Sequence, residues 1–255
     1  MIGVLKKSLS ALALAAIWIS VWETAYRLSG PDNFGLQPPL KVLAEFWRRT
    51  ADLTFVKALG ASLLRVAFGF GLSILFGVAI GIAIAGSRAA SWLLSPVVMG
   101  VQSLPSICWL PLAALWFQRD ENAILFVILM GSIGSIVIAT RDGLKNVPTT
   151  YRRVSSTFGA NYWQRLFWVY IPSALPAFIS GMKQGWSFAW RSLLAGELIK
   201  SVVGVGGQIE ISRSIGDYER LFASMILVLL ASVIVDKLLF TQLEKRIRAR
   251  WGMAA

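Results

Sequence analysis

Three ionisable side chains interrupt one long apolar segment of the sequence, at Lys183, Arg191 and Glu197. A charge at the centre of a membrane helix costs about 2.5 to 3.5 kcal/mol on insertion scales, so such groups usually face a partner or a wet cavity. The planar guanidinium of Arg191 offers donors that suit nitrate, sulfonate or carboxylate oxygens. We therefore take the three residues as candidates for lining a solute path. The alternative is a structural ion pair, between Arg191 and Glu197 or between Glu197 and another helix, although a separation of six does not bring two helical side chains together.

A second polar group lies in an earlier apolar segment, at Gln102, Ser103 and Trp109. Pro105 and Pro111 stand beside these residues, and prolines leave helix carbonyls whose partners must come from protein or water. The segment is therefore predicted to be a kinked span that lines the same path. For any single Trp, packing is the simpler explanation.

The sequence lacks several groups on which enzymes depend. It has no His and one Cys, Cys108, which excludes an intrachain disulfide, a zinc site with Cys and His ligands, and Ser-His or Cys-His catalysis. No Lys follows the glycine cluster at 204–207, so a GxxxxGKS or GxxxxGKT phosphate-binding loop is absent. We predict no catalytic residue, no metal site and no cofactor in this chain. Any ATP must be bound by another chain.

Composition places these residues in a membrane protein. Of the 255 residues, 56% are apolar and 15% are charged, and the mean hydropathy is +0.65, which is far from the balance of a soluble domain. A membrane helix needs roughly 20 apolar residues. Hydropathy predicts six spans, at 9–28, 64–85, 94–117, 123–138, 175–199 and 221–240. The predicted fold is all-α, a polytopic transmembrane helical bundle that forms one domain over residues 1–255.

Basic residues decide the predicted orientation. The net charge is +12, but the cations are scattered between spans, which favours membrane topology over nucleic-acid binding. With six spans, both termini fall on the cytoplasmic side, together with the stretch around Tyr151. The cations on that side are Lys6, Lys7, Arg88, Arg141, Lys145, Arg152, Arg153, Arg165, Lys245, Arg246, Arg248 and Arg250.

Residues 38–61 on the opposite side are predicted to contain an amphipathic helix along the outer surface. Val42, Phe46, Leu53 and Val56 would share its apolar face, and Glu45 would lie on its polar face. The first span has no convincing cleavage site and is interpreted as an uncleaved anchor.

A polar, basic stretch interrupts the apolar pattern over residues 141–173. Pro148 ends the preceding helix, a short helix follows from Tyr151, and Gly159 can take the left-handed conformation in which helices often end. A second helix over 162–170 leads to Pro172 and Pro176, where the fifth span begins. A loop of roughly 30 residues without a function is uncommon in a compact protein, so we predict a docking element for a partner protein. A plain basic loop is the alternative.

The spacing within this stretch resembles the cytoplasmic coupling loop of importer-type ABC transporter permeases. Gly159, Val169, Ile171 and Pro172 match the later part of the family pattern, and residues 153–155 occupy the places of its Glu-Ala-Ala. Residues 102–117 and 186–197 are similar to the branch associated with nitrate, sulfonate, taurine and related anions. The residues that the resemblance assigns to ATPase coupling are Tyr151, Arg152, Arg153, Val154, Ser155, Gly159, Val169, Ile171 and Pro172.

The resemblance implies a type I importer permease fold and a role as the transmembrane subunit of an ATP-driven ABC importer in the bacterial inner membrane. The implied partners are a second permease copy in a homodimer, two cytoplasmic ATP-binding subunits that use ATP and Mg, and an extracytoplasmic solute-binding protein that delivers a small anion. The chain would contact membrane lipid and no nucleic acid. The alternative is an ATPase-independent secondary transporter or channel that uses Arg191 and Glu197 directly.

Overall fold

A computed structural model describes residues 2–29, 35–118, 121–200 and 202–250, and this part of the chain is helical without strands. The α-helices are α1 (Ile2–Leu28), α2 (Pro39–Ala51), α3 (Thr54–Gly86), α4 (Arg88–Ser103), α5 (Leu110–Trp116), α6 (Glu121–Lys145), α7 (Thr149–Thr157), α8 (Tyr162–Arg165), α9 (Ile171–Lys200), α10 (Val205–Ile215), α11 (Tyr218–Val235) and α12 (Thr241–Arg250). A 3-10 turn lies at Ser106–Trp109, and π-helical turns lie at Leu166–Tyr170 and Asp236–Phe240. Residues 1, 30–34, 119–120, 201 and 251–255 of the predicted domain lie outside the described residues, as do the side chains of Lys6, Lys7, Arg248 and Arg250.

Three helical stretches among the described residues are long and apolar enough to cross a membrane: Thr54–Gly86, Glu121–Lys145 and Tyr218–Ile247. The bent pair formed by α4 and Ser106–Trp116 adds a fourth if it is one broken span. α9 is also long, with 30 residues, but it is not among these stretches. The all-α prediction is confirmed, and the number six stays a prediction.

The third predicted span, 94–117, is broken rather than kinked. α4 and Ser106–Trp116 meet at 101°. Leu104 between them is extended, with φ −76° and ψ 127°, because the residue before a proline is driven out of helical geometry. Pro105 therefore produces a sharp turn of 101° at the point where the sequence predicts a kink.

The predicted loop over 141–173 has different boundaries in the structure. α6 continues to Lys145, α7 begins at Thr149, and α9 begins at Ile171. Both Pro172 and Pro176 lie within α9. The π-helical turn just before α9 is wider than an α-helical turn, which gives room to the carbonyl that the Pro172 ring would otherwise meet.

α6 is the centre of the bundle and packs against both α3 and α9. Small residues allow this approach, since a Cβ added at Gly77 would lie 2.9 Å from Cγ2 of Ile136. From α9, the buried Trp186 and Trp190 enter the core and stack with ring centroids 6.4 Å apart. These two Trp side chains are packing residues.

α2 packs against α3 and α11, but its apolar face differs from the predicted one. Val42 is fully buried as expected. Leu53 and Val56, predicted on the same face, are 52% and 51% exposed. The helix ends at Ala51, so its periodicity does not carry on to these two residues.

Glu45 was predicted on the polar face of α2, and the structure buries it instead. Arg49 donates to its Oε1 at 2.7 Å, and Arg48 also pairs with it. Burial opposes the charge on Glu45, but the hydrogen bonds from Arg48 and Arg49 outweigh burial and lower the pKa of this carboxyl. The pairing thus stabilises the fold at neutral pH and is lost as the pH falls through that lowered pKa.

Candidate functional site

The helix α7 is tied to its neighbours by the side chain of Arg152. Nη2 of Arg152 donates to the carbonyl oxygens of Leu144 and Lys145, at 3.2 and 2.7 Å. The guanidinium also lies over the ring of Tyr170, 5.6 Å from its centroid. Arg152 thus supplies a cationic donor to the open carbonyls at the end of α6 and joins α7 to the residue before α9.

The turn after α7 is stabilised entirely by local contacts. Gly159 has φ +67°, as predicted for a left-handed helix end. The N–H groups of Gly159 and Ala160 donate back to α7 carbonyls at 3.0 and 3.1 Å, which is the Schellman pattern. Asn161 and Gln164 then exchange reciprocal side-chain to backbone hydrogen bonds of 2.9 and 2.8 Å, a capping box that starts α8. The geometry of α7 therefore needs no partner protein to hold it.

One face of α7 nevertheless exposes large apolar side chains. Tyr151, Val154 and Phe158 are 51%, 48% and 84% exposed. Their spacing of three and four residues places them on one side of the helix. Beside them lies a groove of about 650 Å³, whose far wall includes Trp168 and Val169. We call these five residues and their groove the α7 surface.

The structure separates the residues predicted for coupling. Tyr151, Val154 and Val169 belong to the α7 surface, and Arg153 is exposed near it. Arg152 faces inward, Ser155 is buried at the edge of the groove, and Gly159 forms the turn. Ile171 and Pro172 begin α9 outside the groove lining.

Phe158 and Trp168 are the members of the α7 surface that the sequence analysis missed. They are 84% and 81% exposed. The signal was available, because an aromatic side chain inside a polar, basic stretch has no core to enter.

Along α9, a row of polar side chains follows one line of the helix. Ser173, Ser180, Gln184, Ser187 and Arg191 are separated by seven, four, three and four residues, the spacing of one helix face. All five are at least partly exposed. We call this row the polar stripe. It starts at Ser173, which also borders the α7 groove.

Arg191 ends the polar stripe and is exposed. Its Nη2 donates to Oγ of Ser187 at 3.3 Å, and its guanidinium lies 5.5 Å from the ring centroid of Phe188. Within the described residues it makes no ion pair, so the alternative of an Arg191–Glu197 pair is wrong. Its charge remains available at the surface of the helix.

The other residues predicted for the path lie in different surroundings. Lys183 is off the stripe, and its Nζ is 3.2 Å from Oδ2 of Asp236. Gln102 donates to Oγ of Ser135 at 3.2 Å. Ser103 is exposed, and Trp109 is half-buried. The structure therefore does not gather the predicted path residues into one cluster.

Glu197 has no exposed surface. Oγ of Ser62 lies 2.8 Å from both of its carboxylate oxygens, and Nη1 of Arg65 donates at 2.9 Å. The N–H of Gly206 donates to Oε2 at 2.9 Å. Glu197 thus pairs with another helix, α3, which is the second alternative that the sequence left open. These contacts enclose Glu197, so it does not line a path.

The glycine cluster folds over the same carboxylate. A Cβ added at Gly204 would lie 2.4 Å from Oε1 of Glu197, and one at Gly207 would lie 1.9 Å from the carbonyl oxygen of Val202. Only glycine fits at such distances. The glycines at 204–207 thus pack closely over the buried carboxylate of Glu197.

Arg65 was missed by the sequence analysis, although it holds this region together. It donates to Glu121 through Nε and Nη2, at 2.7 and 2.8 Å, and to the Val203 carbonyl at 2.7 Å. An Arg one residue inside a predicted span was itself a signal, since a charge there needs a partner. We call Ser62, Arg65, Glu121, Glu197 and Gly206 the Glu197 network.

Comparison with known proteins identifies the family. The model of the family described as binding-protein-dependent transport system inner membrane component matches residues 73–249. The chain belongs to this family. This permease is 28% identical over 205 residues to the taurine transport system permease protein TauC of Escherichia coli, with 78% of this chain and 74% of that protein covered. It is 32% identical over 205 residues to the nitrate import permease protein NrtB of Synechocystis, with 77% and 73% covered.

Solved structures agree with the permease fold. A crystal structure of an amino acid ABC transporter with histidines aligns with a TM-score of 0.66 at 15% identity, covering 77% of this permease and 95% of that chain. The MetNI methionine ABC transporter in an inward-facing conformation aligns with a TM-score of 0.62 at 20% identity, covering 78% and 97%. The predicted family, branch and type I importer fold are confirmed. The protein is a membrane permease subunit of an ABC importer.

Proposed function

We propose that this permease subunit passes a small oxyanion through the inner membrane when partner ATPases act on the α7 surface. One observation carries the proposal: the polar stripe starts at Ser173 in the α7 groove and ends at the exposed Arg191. Along α9, the polar stripe thus connects the groove beside α7 to the one charged residue of the row, Arg191. α9 has 30 residues, or roughly 45 Å at 1.5 Å per residue, which is enough to cross a bilayer.

The charge on the stripe supports an anionic solute. Arg191 is the single cation of the stripe, and within the described residues no carboxylate neutralises it. Its donor fork suits the paired oxygens of nitrate or sulfonate. The related permeases are named for taurine and nitrate. We infer that a nitrate-like or sulfonate-like anion passes Arg191, with Gln102, Ser103 and Trp109 as further lining residues.

The α7 surface suits an ATP-binding subunit as its partner. Phe158 and Trp168 stand in solvent without a core of their own, and burying an aromatic side chain contributes about 1.5 to 3 kcal/mol. The complete assembly would contain two such subunits with ATP and Mg, a second copy of this chain and an extracytoplasmic binding protein. α7 and both termini would then be cytoplasmic, and the Glu197 network would face the binding protein.

Closure of the ATPases would draw the two α7 helices together. Arg152 transfers that movement to the last carbonyls of α6 and to the start of α9. Since α6 packs along α9, the polar stripe of each copy would shift against that of its partner. Such rigid-body movement alternates the side from which a central path is open. The permease supplies binding and movement, and ATP hydrolysis takes place in the partner chains.

Reconstituted uptake separates the two parts of this proposal. A Val154→Asp/Phe158→Asp variant puts charge on the α7 surface, so capture of the ATPase should fall by about ten- to hundredfold, and ATP-dependent uptake should fall with it. Ser156→Asp, on the opposite side of the same helix, should retain both. Arg191→Gln should retain ATPase capture but lose anion uptake, and Arg191→Lys should recover part of it.

Three outcomes would contradict the proposal. ATPase capture by the double Asp variant at the wild-type level would remove the α7 surface from coupling. Normal anion uptake by Arg191→Gln would remove Arg191 from the path. Uptake by the wild-type chain without any ATPase would favour a secondary transporter or channel.

A further inference from the structure

A second pocket lies where α3 ends, α4 begins and α6 ends, away from the α7 groove and the polar stripe. Its volume is about 540 Å³. Arg88 and Lys145 line it, and none of its lining residues is acidic. In the described part of the chain neither cation is in an ion pair, and Asp142, one turn before Lys145, pairs with Arg141 at 2.7 Å. The pocket thus has two unneutralised positive charges.

Hydroxyl groups complete the polar side of this pocket. Ser87, the residue before α4, lines it together with Ser91 and Ser95, which lie four residues apart on one face of α4. Nζ of Lys145 donates to Oγ of Ser91 at 3.1 Å, and Oγ of Ser87 accepts from the N–H of Ala90 at 3.3 Å. In both contacts the serine is the acceptor, so its own proton remains available for an acceptor in the pocket. Two cations and serine O–H donors suit the oxygens of a phosphate group.

The rest of the lining is apolar and lies at the end of a membrane-spanning helix. Ile84 belongs to the last turn of α3, one of the long apolar helices. Trp92 and Pro96 form the α4 side, and Trp92 is 82% exposed. Trp concentrates where a membrane meets water, because its ring is apolar and its N–H is polar. A ligand here would have an anionic head among the cations and a hydrocarbon tail along Ile84, Trp92 and Pro96.

We propose that this pocket binds the phosphate of an anionic phospholipid headgroup. Basic pockets between membrane helices bind such headgroups by charge-assisted hydrogen bonds. A soluble phosphate would use the same polar groups, but it would leave the apolar wall and the exposed Trp92 without a role. Its lining shares no residue with the α7 groove or the polar stripe.

Native mass spectrometry of the full-length chain in mild detergent tests this site. Phosphatidylglycerol is added in one arm, phosphatidylcholine in a second and inorganic phosphate in a third. The wild type should retain phosphatidylglycerol over phosphatidylcholine, and Arg88→Gln/Lys145→Gln should bind it about tenfold more weakly or worse. Arg88→Lys/Lys145→Arg keeps both charges and should retain binding. Lys57→Gln removes an exposed cation at the other end of α3 and should leave binding unchanged.

Equal phosphatidylglycerol binding by the wild type and the Arg88→Gln/Lys145→Gln variant would overturn the proposal. Displacement of the bound lipid by inorganic phosphate alone would also overturn it, in favour of a soluble anion site. Size-exclusion profiles of each variant show that a loss of lipid is not a loss of fold.

Discussion

The segment that leads into α9 and the segment that leaves it differ in what they expose. Before α9, the helix α7 satisfies its backbone by a Schellman turn and a capping box, yet leaves Phe158 84% exposed. After α9, the chain folds back so closely that Glu197 has no exposed surface. The segment before α9 is polar in sequence but exposes apolar side chains on one face of α7. The segment after α9 covers the charge of Glu197 with glycines.

The two segments therefore differ in how many of their groups remain free to bind another molecule. Exposed aromatic side chains on a locally rigid helix gain free energy when another protein or lipid covers them. A carboxylate that already accepts hydrogen bonds from Ser62, Arg65 and Gly206 has little capacity left for a solute. Exposure and unused capacity, rather than charge alone, therefore indicate which groups are available for function.

The largest stability effect should come from Glu197→Ala. Breaking a buried pair by removing one partner costs about 3 to 5 kcal/mol, and Arg65 would keep the exposed Glu121 and the Val203 carbonyl as its partners. Glu219→Ala is the control, because Glu219 forms a surface pair with Lys41 at 3.5 Å, a class of contact that contributes about 0 to 1 kcal/mol. Thermal unfolding in detergent measures both. Equal midpoints for the two variants would show that the Glu197 network is not what holds this end closed.

Gly207→Ala should have the next largest effect. Its Cβ would overlap the carbonyl oxygen of Val202, and overpacking of this kind costs about 1 to 3 kcal/mol. Gly60→Ala in α3 is the matched change, since nothing lies within 4 Å of its Cβ, and Ala there should leave the midpoint unchanged or raise it slightly. A Gly207→Ala protein as stable as Gly60→Ala would mean that the cover over Glu197 is loose.

Arg152→Gln, in the segment before α9, should reduce stability by a smaller amount. It removes charged hydrogen bonds to the α6 carbonyls, worth about 1.5 kcal/mol for a half-buried donor. Arg153→Gln, one residue on and exposed, should leave the unfolding midpoint where it is. Faster amide hydrogen exchange of α7 in the Arg152 variant, without a change elsewhere, would locate the loss at this tie. Identical exchange in both variants would contradict the inward role of Arg152.

The smallest effect should come from Phe158→Ala. Phe158 contacts little of its own chain, so its removal should change stability by less than about 0.5 kcal/mol. Phe70→Ala, at a core position 5% exposed, should cost about 3 to 5 kcal/mol by the same measurement. A substantial loss of stability on removal of Phe158 would show that the α7 surface belongs to the fold rather than to a partner.

The sequence predicted the features that depend on neighbouring residues. The left-handed helix end at Gly159 follows from its local pattern, and the structure has it there. Glu197 was assigned to a path because the sequence does not show its ion-pair partner. That partner, Arg65, lies 132 residues earlier, and no local pattern reveals the pairing. The sequence predicted the position of the kink at Pro105 but not its angle. The angle of 101° between α4 and Ser106–Trp116 depends on the helices against which each of them packs.

The direction of synthesis gives the Glu197 network a further consequence. α9 carries Lys183, Arg191 and Glu197 and is not among the stretches long and apolar enough to cross a membrane. Ser62 and Arg65, whose side chains bond to Glu197, are translated before α9, as is Glu121, which pairs with Arg65, whereas the glycine cover is translated after it. We therefore expect α9, which carries the polar stripe, to enter the bilayer only after α3 is in place, because Ser62 and Arg65 can then pair with its Glu197.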